Sequence, residues 1–235
     1  MSDALRLHYA PDNASLIVRM ALEEMNLPYQ TALVDRAANA QRSAAYLALN
    51  PNGLIPVLET PHGALFETGA ILLWLADTHR AMAPAPDESS RGAFLTWLFF
   101  ASNTLHADLR ALFYPAAYVG PSTSAQHALT ETLQARLRRH LRHLDDLAGT
   151  GPRWLSAADP SVLCYYLACL MRWMALYPQH GDRRWFRLSD TPHLQRLLRD
   201  IEPRPAVRAA QVAEGLGETP FTAPRYATPP EGSAT

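Results

Sequence analysis

A glutamate and a threonine, Glu67 and Thr68, stand directly ahead of the apolar run "GAILLWLAD". The free main-chain N–H groups and positive dipole end of a helix starting there attract a carboxylate, and a hydroxyl at that place caps the helix or binds the anion. A plain capped helix would use the same two residues. Upstream, Ile55-Pro56 interrupts what otherwise reads as a buried strand, where proline belongs only at an edge or at a purposeful turn. The loop "YAPDNASLIVRM" gathers Tyr9, Asn13 and Ser15 around the start of a helix, so a hydroxyl or an amide there could either donate to a bound anion or cap the helix. In the second half His106 and Arg110 lie one helical turn apart on one face. Either could hold an anion, or His106 could simply be packed.

These residues need elements to position them. The first eighty residues alternate strand and helix signals: "LRLHY", "YQTALV", "PVLET" and "ALFE" read as strands, and "SLIVRMALEEMNL", "AQRSAAYLAL" and "TGAILLWLADTH" as helices, with Arg19 and Glu23 one turn apart. The order β-α-β-α-β-β-α implies a small mixed sheet with helices on its faces. The segment "RAMAPAPDESS" then reads as a linker, and the long segments after Asp87 carry the three-four apolar spacing of a helix bundle. The expected division is residues 1–80, a linker at 81–87, a helical domain at 88–216, and a disordered tail at 217–235 that has little to bury. In "LSAADPSVLCYYL" Ser156 with Asp159 reads as a capping box, and Asp159 ahead of Pro160 fits a cap equally well.

Composition narrows the function classes. Lysine plus arginine number 21 against 22 acidic residues, a net charge of −1 that calls for neither nucleic acid nor an anionic membrane. All the cations are arginine, so lysine can ligate no anion here. The arginines of "RLRRHLRHLDDL" flank a leucine stripe, Leu137, Leu141 and Leu144, and read as a solvated helix face. Cys164 and Cys169, in one apolar segment, read as core packing in a reducing cytosol rather than as a metal site or a disulfide. The N-terminus lacks the pattern of a secretion signal, and no apolar run is long enough to span a bilayer.

The β-α-β-α-β-β-α unit, the proline linker and the helical second half, together with "NPNGLIPVL", "ALFETGAILLWLAD" and "LSAADPSVLCYYL", resemble the cytosolic glutathione transferases, most closely bacterial members of the beta type. That resemblance implies a thioredoxin-like domain followed by an α-helical domain. It further implies a cis Ile55-Pro56 bond, with Ile55 pairing with the cysteinyl backbone of glutathione as if it were another strand. Glu67 would take the γ-glutamyl ammonium and Thr68 the γ-glutamyl carboxylate. A loop residue would stabilise the thiolate nucleophile. Ala14 stands where the beta type has a cysteine, which leaves Ser15 first, Asn13 second and Tyr9 third as thiol-facing candidates. The glycine carboxylate falls to His106 or Arg110. The implied protein is a cytoplasmic homodimeric enzyme of detoxification that uses glutathione against a small electrophile. A glutathione-binding or ligand-carrying protein with little activity is the alternative, motivated by Ala14 and Phe99.

Overall fold

The computed structural model describes residues 4–234. The chain runs β1 (Leu5–Tyr9), α1 (Ser15–Glu24), β2 (Tyr29–Leu33), α2 (Ala44–Leu49), β3 (Val57–Thr60), β4 (Gly63–Phe66) and α3 (Thr68–His79). The four strands form one sheet in the order β2-β1-β3-β4. Strand β1 is parallel to β2 and antiparallel to β3, which forms a hairpin with β4. This mixed sheet needs a crossover helix between its two parallel strands, and α1 supplies it. Ser43 caps α2 by accepting from the Tyr46 N–H.

The second half is helical: α4 (Arg91–Phe100), α5 (Ala107–Phe113), α6 (Ala116–Val119), α7 (Thr123–Gly149), α8 (Val162–Leu176), α9 (Pro192–Ile201) and α10 (Pro205–Glu214). Helices α4 and α5 are joined without a break by a π-helical turn at Ala101–His106. The core is continuous across both halves, from Leu7, Leu16 and Met20 through Leu75 and Leu105 to Leu163, Leu170 and Leu198. Helix α8 is enclosed along nearly its whole length, which is why its sequence is apolar on every face. In α7 the stripe Leu137, Leu141 and Leu144 is buried, as its spacing predicts. Among the described residues no helix is long and apolar enough to cross a membrane.

Two local expectations are corrected, and one long-range ion pair was not foreseen. Helix α8 starts at Val162 with Ser161 at its N-cap position, while the Ser156 hydroxyl accepts from Asp159 N–H in a turn well before it, so Ser156 and Asp159 cap nothing. Pro160 offers no N–H there and the chain runs on past it before turning into helix. Arg19 pairs with Glu214 of α10 at 2.7 Å, which the packing of α10 on α1 brings within reach. The segment after Gly215, expected to be disordered, packs against the body. Phe221 is buried, Thr228 N–H donates to Gly215 C=O, and the Tyr9 hydroxyl donates to Glu231. Main-chain groups of the tail take part as well, the Pro220 and Arg225 carbonyls accepting from Arg172 and the Phe221 and Thr222 N–H groups donating to Glu202, a capacity that side-chain composition does not register.

Candidate functional site

A cleft of about 1020 Å³ opens between the strand ends of the first half and the α4–α5 wall of the second. Its floor is the β1–α1 loop, the Gly53–Pro56 segment and the start of α3; its wall includes Phe99, Ser102, Asn103, His106 and Arg110. The π turn places these wall residues. Its wider helical turn breaks the α register, a distortion frequently found at functional positions.

The Ile55-Pro56 peptide bond is cis, and both residues line the cleft. The preceding turn is braced by Tyr46 Oη and Asn50 Nδ2, each donating to Leu54 C=O at 2.8 Å. Ile55 follows directly, and its main-chain N–H and C=O take no partner among the described residues. Glu67 is held at φ 70°, a conformation costing a non-glycine residue about 1–3 kcal/mol, and its carboxylate faces the cleft unpaired. Thr68 beside it is buried and lines the same cleft at the N-terminus of α3. The carboxylate of Glu67 and the free N–H groups of α3 therefore offer an acceptor for a cation next to donors for an anion.

The β1–α1 loop corrects the expected order of candidates. Ser15 is fully buried; its hydroxyl donates to Ala10 C=O at 3.0 Å and accepts from Ala10 N–H at 3.2 Å. It ties the loop to itself and does not face the cleft. Tyr9 also points inward, with its ring under the Arg19 guanidinium at 4.6 Å and its hydroxyl on Glu231. Burial and Glu231 push its phenol pKa up, the reverse of what an anion-stabilising tyrosine needs. The physical reason is the two-residue period of β1: Leu5, Leu7 and Tyr9 all face the core. Asn13 does line the cleft. Its Oδ1 accepts from Ala14 N–H at 2.8 Å, leaving the amide N–H₂ without a partner among the described residues.

His106 and Arg110 both line the cleft, on one face as their spacing predicts. The His106 Nδ1 lies 3.0 Å from the Tyr166 hydroxyl, and its ring is tilted against Trp173 at 6.0 Å. Burial, together with the Arg110 charge, pulls its pKa down to about 4, so it is a neutral imidazole at physiological pH and a poor holder of a carboxylate. The cations on the opposite side fit that task better. Arg36 donates to Tyr114 Oη at 3.3 Å but leaves Nη1 buried without a partner, as is the Oε1 of Gln41. Arg42 donates to Asn52 C=O at 3.4 Å beside Gly53. The reading of the sequence missed Arg36, Gln41, Arg42 and Tyr166. The three polar residues sit in the loop and short helical turn after β2, a signal that was available; Tyr166 sits in a helix that reads as core throughout.

Beneath the loop lies an ion pair invisible to any local pattern. Asp12, at φ 49°, accepts from Arg172 Nε at 2.8 Å and Nη2 at 2.9 Å, from Trp173 Nε1 at 2.8 Å and from Tyr177 Oη at 3.1 Å. The Asp12 N–H donates in turn to Glu214 at 2.8 Å. Arg172 spends its other donors on the carbonyls of Leu216, Pro220 and Arg225. The residue before Asn13 is thus fixed by α8, α10 and the tail.

Residues 14–78 match the family model described as the glutathione S-transferase N-terminal domain. The chain is 29% identical over 220 residues to a glutathione S-transferase of Xanthomonas campestris, covering 90% of this chain and 100% of that one. It superposes with a TM-score of 0.71 on the structure of a sphingomonad glutathione S-transferase complexed with glutathione, at 30% identity over 90% of this chain and 100% of that one. Over 71% of this chain it is also 27% identical to an elongation factor 1-gamma of Prunus avium, of which it spans 41%.

Proposed function

Because the chain belongs to the glutathione transferase family, we propose that it binds glutathione in this cleft and activates the thiol for attack on a small electrophile. The observation that carries the reading is Glu67, held in a costly conformation with an unpaired carboxylate at the head of α3, beside the cis Ile55-Pro56 bond. Glu67 takes the γ-glutamyl ammonium, while Thr68 and the α3 N–H groups take its carboxylate. Ile55 pairs with the cysteinyl main chain, and Arg36 with Arg42 receives the glycine carboxylate. This leaves the sulfur between the N-terminus of α1, with the Asn13 amide, and His106 across the cleft. Donors aimed at the sulfur favour the thiolate, whose proton leaves to solvent; the thiolate then forms a carbon–sulfur bond as the electrophile's leaving group departs or its double bond takes up a proton. Phe99, Phe113, Tyr114 and Tyr118 offer the electrophile an apolar surface. A homodimer and a cytoplasmic detoxifying role complete the proposal.

A glutathione-binding carrier with weak chemistry is the second reading, favoured by the inward hydroxyls of Ser15 and Tyr9. Titration of the bound thiol by thiolate absorbance separates the two: a carrier leaves the thiol pKa at its free value. The binding itself is tested by calorimetry. Glu67→Gln weakens glutathione by about 2–3 kcal/mol, since it leaves an ammonium partly desolvated without a counter-charge. Equal affinity for wild type and variant would remove the γ-glutamyl assignment.

A further inference from the structure

His106 is surrounded in a way that the binding of glutathione does not explain. Its ring sits between two residues of α8, edge-on to Tyr166 at 5.7 Å and tilted against Trp173 at 6.0 Å. Trp173 in turn donates to Asp12, the residue before Asn13. One indole ring therefore spans the gap between His106 and the loop whose helix start receives the sulfur in the proposal above. The Tyr166 hydroxyl is buried, and its one hydrogen bond among the described residues is to His106 Nδ1 at 3.0 Å. A buried hydroxyl proton has to be donated, and Nδ1 is the acceptor offered to it. Burial and the Glu67 charge push the Tyr166 phenol pKa up, so the proton stays on the phenol. An Nδ1 that accepts carries no hydrogen, and in a neutral imidazole the hydrogen is then on Nε2. That nitrogen has no partner among the described residues, and His106 lines the cleft.

We propose that Tyr166 is a positioning residue that locks His106 in its Nε2–H tautomer, so that His106 donates a hydrogen bond to the sulfur of glutathione. This rests on the glutathione reading given above. Without the tyrosine hydroxyl, the imidazole is free to place its hydrogen on Nδ1 and present a bare lone pair to the thiolate, which repels it. The charged groups that bear on the pair are Arg110 on α5 and Glu67 at the head of α3. Neither of them donates to His106 Nδ1, so no neighbour substitutes for Tyr166.

The test is Tyr166→Phe in the full chain, which keeps the ring and deletes the hydroxyl. Nitrogen-15 NMR of the free wild type shows His106 as the Nε2–H tautomer between pH 5.5 and 8, and the variant shows a mixture. With glutathione bound, the thiol pKa rises in the variant, and conjugation near pH 6.5 falls about 3 to 10 fold. Affinity for glutathione stays within about twofold of wild type, and the rates of the two proteins converge at high pH, where the thiolate forms without help. In a His106→Gln background the further change Tyr166→Phe does nothing, because the residue through which Tyr166 acts is gone. An unchanged tautomer, an unchanged thiol pKa, or an equal effect of Tyr166→Phe in the His106→Gln background each overturns the role. Failure of the wild type to bind glutathione overturns the proposed function and this role with it, whereas binding with an unaltered thiol in the variant overturns this role alone.

Discussion

Replacing Arg172 by methionine, which keeps the stem of the side chain and removes the charge, isolates the buried pair under the β1–α1 loop. Both partners have fully buried side chains, so the Asp12 carboxylate has no route to water when the guanidinium goes. It keeps Trp173 Nε1 and Tyr177 Oη but loses two charged donors at 2.8 and 2.9 Å. Breaking a buried pair from one side costs about 3–5 kcal/mol, most of it the stranded charge. The carbonyls of Pro220 and Arg225 lose their donors as well, which frees the tail. For a chain of 235 residues each kcal/mol corresponds to about 2–4 °C, so Tm falls by roughly 6–20 °C in a calorimetric scan at pH 7. Combining Arg172→Met with Asp12→Asn removes the stranded charge and recovers part of the loss. A single variant that melts within 2 °C of wild type, or a double variant that melts lower than the single one, would refute the argument that the stranded carboxylate dominates.

The loop residues separate by substitution. Asn13→Ala lowers conjugation by raising the bound thiol pKa with Tm little changed, while Ser15→Ala lowers Tm by loosening the Ala10 turn and leaves the thiol pKa alone. Paired titrations and melts check this, and the reverse pattern would return the donor role to Ser15. Burial raises the Glu214 carboxyl from 4.5 to about 7 despite Arg19 and the Asp12 N–H. A raised carboxyl pKa makes the folded state bind more protons than the unfolded one between those values, so this group's contribution to stability is full below about 4.5 and is lost as pH rises through about 7. Relative to Glu214→Gln, the wild type therefore loses Tm across that window, and a difference independent of pH contradicts the assignment. Sedimentation at micromolar concentration gives a dimer of two 26.1 kDa chains, and a stable monomer would count against the proposed assembly.

The order of strands and helices, the mixed sheet and the helical second half were legible because each rests on a local period: two residues along β1, between three and four along α7. Ile55, Pro56, Glu67, Thr68, His106 and Arg110 were legible as residues because they stand at element ends or share a helix face, and all of them line one cleft. Direction was the first thing local pattern left open. Asn13, Ala14 and Ser15 are consecutive, and which of them meets the cleft depends on how α1 is rotated by its packing against α3, α8 and α10. Helix α10 and the ordered tail went unread for a different reason. Arg172 looks like a stray charge in an apolar helix until Asp12, 160 positions away, is folded against it. A buried charge is tolerated only where its partner is already in place, and that partner is chosen by the tertiary fold and not by the neighbouring sequence.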